Sequence, residues 1–104
     1  MKLRYVVAMT MALATANAFA EDGEALFKKS GCSNCHSVGK KIVGPAFKDV
    51  AAKYANDAGA QAKLEAKVRS GGAGSFGAMP MPPAAKSVSD ADIKTLVAWV
   101  LKQK

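Results

Sequence analysis

Two cysteines separated by two residues and followed at once by a histidine, Cys32-Ser33-Asn34-Cys35-His36, limit what this chain can become more than any other stretch. At that spacing each thiol can add to a vinyl group of a haem to form a thioether, and the adjacent imidazole lies under the iron as its proximal ligand. One helical turn carries both sulfurs along one side of a porphyrin while His36 turns a ring nitrogen to the metal. A Cys-x-x-Cys pair also occurs in thioredoxin-like redox proteins, as half of a zinc site or as an ordinary disulfide. With 2 cysteines and 1 histidine in the whole sequence, the chain is one soft ligand short of a closed structural zinc site. A thioredoxin would need a βαβ setting, and no such pattern is visible. Haem attachment is the favoured reading, with a dithiol or disulfide as the alternative.

The N-terminus fits that chemistry. Met1 to Ala20 opens with Lys2 and Arg4, runs through a mostly apolar stretch and ends Ala18-Phe19-Ala20 before Glu21-Asp22. This is the pattern of a secretory signal peptide cleaved after Ala20. The uncharged run from Tyr5 to Ala20 is 16 residues, short of the roughly 18 to 20 that span a bilayer, so a stable membrane anchor is not expected. Export takes the thiols out of the cytoplasm, into the periplasm in a Gram-negative cell.

The remaining chain, Glu21 to Lys104, reads as a single domain. Losing Lys2 and Arg4 lowers the 15 basic residues to 13 against 8 acidic ones, a formal charge of +5 before any haem. A domain this small buries a limited core, so a large apolar cofactor would substitute for side-chain packing. The positive charge suits an acidic partner surface. Nucleic acid is not an expected partner, because the lysines are scattered and no aromatic-basic motif accompanies them.

Hydrophobic spacing predicts helices and no strands, an all-α domain. Glu21 to Ser30 has acidic residues at its start and Lys28 and Lys29 near its end, with Gly31 as a stop. Gly44-Pro45 opens a second helix with Pro45 at the first position, and Phe47, Val50, Ala51 and Tyr54 give one buried stripe. A third runs from about Ala58 to Arg69, with Ala60, Leu64 and Val68 on one row, and Gly71-Gly72 stops it. Ser89 with Asp92 resembles a capping box before Ile93, Leu96, Val97, Val100 and Leu101 of the last helix.

Gly71 to Lys86 breaks the helical pattern with four glycines, three prolines and the methionines Met79 and Met81. A loop this long in a small domain is usually functional. Since His36 is the single histidine, a sixth iron ligand from this chain is a methionine or a lysine, and otherwise water or nothing. A thioether sulfur is soft and neutral, and raises the reduction potential by favouring Fe(II). Met81, between Pro80 and Pro82-Pro83, has few backbone conformers to lose on binding and is favoured over its rival Met79. Core filling is the other role open to both.

Glu21-Asp22-Gly23-Glu24-Ala25-Leu26-Phe27, the Cys-x-x-Cys-His pentapeptide, Val43-Gly44-Pro45-Ala46, Lys48-Asp49-Val50-Ala51-Ala52-Lys53, Pro80-Met81-Pro82-Pro83 and Ala98-Trp99-Val100-Leu101 together resemble the small bacterial class I cytochromes c, the cytochrome c-551/c-552/c8 group. The likeness covers essentially all of the chain after Ala20, with the motifs in the same order. It implies the class I cytochrome c fold, four to five short helices around one covalently attached haem c, and a periplasmic electron shuttle. It implies Cys32 and Cys35 as thioether attachments, His36 as proximal ligand, Met81 rather than Met79 as distal ligand, and a hydrogen bond from His36 to the carbonyl of Pro45. The partners it implies are a membrane quinol-oxidising complex as donor and a terminal oxidase or nitrite reductase as acceptor, met by a monomer. The chain departs from its relatives at Phe76, where they commonly have a tryptophan bonded to a haem propionate. It departs again at Ala84, where an asparagine is common near the methionine sulfur, and at Lys67, where an arginine approaches a propionate.

Trp99 is expected in the core rather than on an electron path. Lys28, Lys29, Lys40, Lys41, Lys48, Lys53 and Lys63 each read most simply as solvated charges; the alternative is that together they ring the haem edge and steer an acidic partner, giving fast, salt-sensitive association. An electron carrier with both axial positions filled is favoured over a minimal peroxidase or gas-binding protein, which needs an open site. The chain offers no distal histidine or arginine cluster for peroxide chemistry. Thiol-disulfide exchange is the third class and predicts free thiols and no colour.

Overall fold

Asp22 starts the first helix by side-chain chemistry: its carboxylate accepts the N–H of Ala25 at 2.8 Å, closing one of the donors that a helix start leaves open. The computed structural model describes residues 22–104, so the expected leader Met1–Ala20, its cleavage point and Glu21 lie outside the described residues. Helix α1 spans Gly23–Lys29, with Lys28 and Lys29 in its last turn. Gly31, at φ 82°, then turns the chain into a single 3-10 turn, Cys32–Asn34.

Helix α2 spans Phe47–Lys53, which moves the expected start at Pro45 into the preceding loop. The reason lies in the backbone: Phe47 N–H and Lys48 N–H donate to the carbonyls of Ser37 and Val38 at 2.9 and 3.0 Å. Those donors need no side-chain cap, and the chain stays extended through Ala46, at φ −60° and ψ 140°. Helix α3 spans Ala60–Ser70, starting with the first residue of its apolar row and two residues after the expected start near Ala58. Asp57 accepts the N–H of Gly59 at 2.8 Å in a local turn that uses up Ala58 and Gly59. Helix α4 spans Asp90–Leu101, capped by the Ser89 hydroxyl, which accepts the N–H of Asp92.

Among the described residues there is no strand, only two isolated bridges, His36 with Lys41 and Gly72 with Met81. The four α-helices and the 3-10 turn form the all-α fold expected of the chain. Helix α4 packs against α1, α2 and α3 through Ile93, Leu96, Val97 and Val100, all buried. Leu26 of α1 and Phe47 and Val50 of α2 join them, each such side chain contributing about 1.5–3 kcal/mol by leaving water. Trp99 packs on this core, with its ring 5.4 Å from Phe27 and 5.8 Å from Phe47. A Cβ on Gly23 would sit 2.0 Å from the Trp99 Cβ, so α1 and α4 meet where only glycine lets them.

Candidate haem site

The turn after α1, the loop before α2, the α3–α4 connection and the inner faces of α2, α3 and α4 enclose a cavity of about 400 Å³. Cys32, Cys35 and His36 line it, as do Met79 and Met81. Apolar walls come from Val50, Leu64, Val68, Leu96, Val97 and Val100, with Lys67, Tyr54 and Ser75 as polar points on the lining. A neighbouring hollow of about 120 Å³ shares Cys32, Cys35, His36 and Met81. An apolar slot with a few polar groups suits a large, flat ligand with charged substituents.

The imidazole is held from several directions. His36 Nδ1 donates to the Pro45 carbonyl at 2.8 Å; a carbonyl oxygen can only accept, so the proton sits on Nδ1 and Nε2 keeps its lone pair for a metal. The bond to Pro45 is the one that the family resemblance implied. The Phe47 ring stacks on His36 with centroids 4.9 Å apart and planes at 21°. Gly44 closes the remaining space, since a Cβ there would stand 2.5 Å from the imidazole Cε1 and 2.8 Å from Nδ1. Its N–H also donates to the Cys35 carbonyl at 2.7 Å. His36, Cys35 and Gly44 are thus one backbone-tied unit.

Cys32 and Cys35 are both half-buried and unbridged. Burial pushes the Cys32 thiol above its ordinary range, its own backbone N–H pulls the other way, and the neighbouring Cys35 adds a smaller upward push. The site has few donors: among the described residues no group of three or more His, Cys, Asp or Glu could hold a metal ion. One imidazole and one thioether suit an iron that already carries four porphyrin nitrogens, and the donor set therefore fits a haem.

The two candidate methionines differ. Met79 is 66% exposed, whereas Met81 is half-buried and bound at its backbone, exchanging N–H···O bonds with Gly72 at 2.9 Å each way. Gly71 permits this approach: it sits at φ 69°, and a Cβ there would stand 2.4 Å from the Met81 carbonyl oxygen. The Ala84 N–H donates to the Val68 carbonyl at 2.9 Å. Phe76 lines the cavity with its ring 4.5 Å from Lys53 Nζ, and that ammonium also donates to the Ser75 carbonyl. Of the lysines that would ring the haem edge, Lys41 lies on the cavity wall, while Lys28 and Lys63 form surface pairs with Glu24 and Asp57.

The thiols, the histidine and both methionines singled out in the sequence all line the cavity; of the contacts that hold them, the sequence pointed to the Pro45 carbonyl alone. Gly44 was legible only as a residue before proline, although its bare Cα is what lets the loop touch the imidazole. Arg69 carried no signal beyond helix-end charge, and Lys53 stood out only as one of the lysines at the haem edge, not as the donor to the Ser75 carbonyl.

The cytochrome c family model matches residues 20–104. Cytochrome c-551 of Pseudomonas aeruginosa is 52% identical over 95 residues, covering 91% of this chain and 89% of that protein. Cytochrome c-551 of Allochromatium vinosum is 62% identical over 76 residues, 73% of this chain and 80% of the relative. The crystal structure of wild-type cytochrome c552 from Nitrosomonas europaea superposes with a TM-score of 0.74 at 48% identity, covering 78% of this chain and 99% of that one.

Proposed function

Because the chain belongs to the cytochrome c family, we propose that Cys32 and Cys35 bear its haem, with His36 and Met81 as the two axial ligands of the iron. Membership itself makes the protein an electron carrier with one covalently bound haem c and no substrate turnover of its own. The observation that carries the ligand assignment is that two segments far apart in sequence, Cys32–His36 and the strap holding Met81, line a single cavity.

Haem supplies the one-electron Fe(II)/Fe(III) couple when bound. Everything else is the work of this chain. Cys32 and Cys35 would hold the group as thioethers, each S–H adding across one vinyl C=C with no net oxidation. His36, its Nδ1–H held by Pro45, offers Nε2 on a ring whose tautomer and plane are fixed. Met81 offers a soft neutral sulfur that favours the reduced state. The apolar walls from α3 and α4 would keep water from a bound iron, so that its change in charge would cost little reorganisation.

The carrier works in the periplasm after removal of Met1–Ala20, as a monomer that takes electrons from a membrane quinol-oxidising complex and passes them to a terminal oxidase or nitrite reductase. Among the described residues no helix is long and apolar enough to cross a membrane. The excess of basic residues supports steering toward an acidic partner surface.

A spectroelectrochemical titration of the protein beside Met81→Ala tests the assignment. The variant is expected to lose the weak sulfur-to-iron band of the ferric state and to fall in potential by on the order of hundreds of millivolts. An unchanged titration transfers the role to Met79 or to a ligand other than methionine.

A further inference from the structure

The prolines around Met81 stiffen the strap along its own length, but they do not decide where it lies relative to the helices. Gly72 and Val68 tie Met81 and Ala84 through the backbone. Beyond Ala84 the strap is tied by one side chain from α3: Arg69 donates from Nη2 to the Val88 carbonyl at 2.6 Å and to Asp90 Oδ1 at 2.8 Å, and from Nη1 to the Ala85 carbonyl at 3.4 Å.

The three contacts are not equal. Asp90 is 95% exposed, and an ion pair in that setting contributes little. The bond to Val88 is part-buried, and a charged donor lost from a carbonyl only partly open to water is the costlier event. Only a planar fork reaches separate carbonyls and a carboxylate together; an ammonium is a point. The fork also joins the strap to the first turn of α4 through Asp90.

We propose that Arg69 is a positioning residue for the distal ligand, holding Ala85, Val88 and Asp90 against α3 so that the Met81 sulfur stays in place. The proposal rests on the assignment of Met81 to the iron. Without the fork, the strap after Ala84 has no tie to α3, only the bonds of Gly72, Val68 and Lys53 on its earlier part remain, and Met81 leaves the metal more often. Arg69 touches neither ligand nor cavity, so its loss acts on the position of the sulfur and not on its chemistry.

The test follows cyanide binding to the ferric holoprotein, since cyanide enters only when the sixth position opens, together with amide hydrogen exchange at Met81 and Ala84. Arg69→Met is expected to bind cyanide about tenfold faster and to exchange those two amides faster by a similar factor, with Leu96 and Val97 in α4 unchanged. Arg69→Lys is expected to fall between the two, and it carries the test alone if Arg69→Met yields no holoprotein. Asp57→Asn removes a distant surface pair and is expected to leave both readouts as they are. A cyanide rate altered by less than about twofold, equal acceleration by Asp57→Asn, or exchange rising equally through α4 overturns the proposal. Failure of the ligand assignment looks different: Met81→Ala then keeps the sulfur-to-iron band whatever Arg69 does.

Discussion

The two sides of the cavity are built by opposite means. On the side of His36 everything is local: Cys32, Cys35, His36, Gly44, Pro45 and Phe47 follow one another closely in sequence and bind one another through short backbone bonds and a stacked ring. On the side of Met81 the chain is a strap of glycine and proline that closes on itself once, between Gly72 and Met81, and is otherwise positioned from outside, by the Val68 carbonyl and by the long arms of Lys53 and Arg69. The first arrangement is determined by its own residues. The second is a shape imposed largely by neighbours, and on the proposed ligation Met81 is expected to come free while the helices stay folded.

The contrast can be broken most severely at Gly71. Alanine there must take φ 69° with its Cβ 2.4 Å from a backbone oxygen of Met81 that cannot move aside. We expect Gly71→Ala to cost about 3 kcal/mol or more, read by denaturant unfolding of the holoprotein, and to weaken the ferric sulfur-to-iron band before the helices melt. A variant whose band and helices vanish together would erase the distinction between the two sides. On the other side, Gly44→Ala drives a methyl into a ring that can tilt, and the expected cost is about 1–3 kcal/mol. The accompanying sign is loss of the slow-exchanging Nδ1–H of His36 by proton NMR, with the Met81 band preserved.

The smallest effect belongs to a pair that serves neither side. The hydrogen bond from Lys63, helped by the Gly59 N–H, holds the Asp57 carboxyl below the usual carboxylate range, and the same bond holds Lys63 above the usual lysine range. A depressed carboxyl contributes stability that is present above its unfolded pKa and is lost as pH falls through the folded one. A raised lysine contributes below its unfolded pKa and loses that contribution as pH rises through the folded one. Asp57→Asn is therefore expected to lower Tm slightly at neutral pH, with the gap to the parent closing in acid; a gap independent of pH would contradict the pairing.

The helices were legible because their apolar residues recur at helical spacing, and α4 shows this best, with Ile93, Leu96, Val97 and Val100 all buried. The starts of α2 and α3 were not. Whether Phe47 or Pro45 begins a helix depends on the carbonyls of Ser37 and Val38 folding back to meet its N–H groups, and no periodicity reports that. Thiols, imidazole and sulfur stand out in sequence because their chemistry is rare. Arg69 and Lys53 do not, because an arginine or lysine near a helix end looks the same whether it meets water or a carbonyl far along the chain.

The seat of Gly23 against Trp99 decides when the globule can close. Its two halves come from the first and last helices of the described residues, so nothing short of the C-terminal helix can complete it. Leu96, Val97 and Val100 reach the cavity wall on that same helix. Closing the globule and finishing the cavity are therefore a single step that joins the two most distant helices of the described chain.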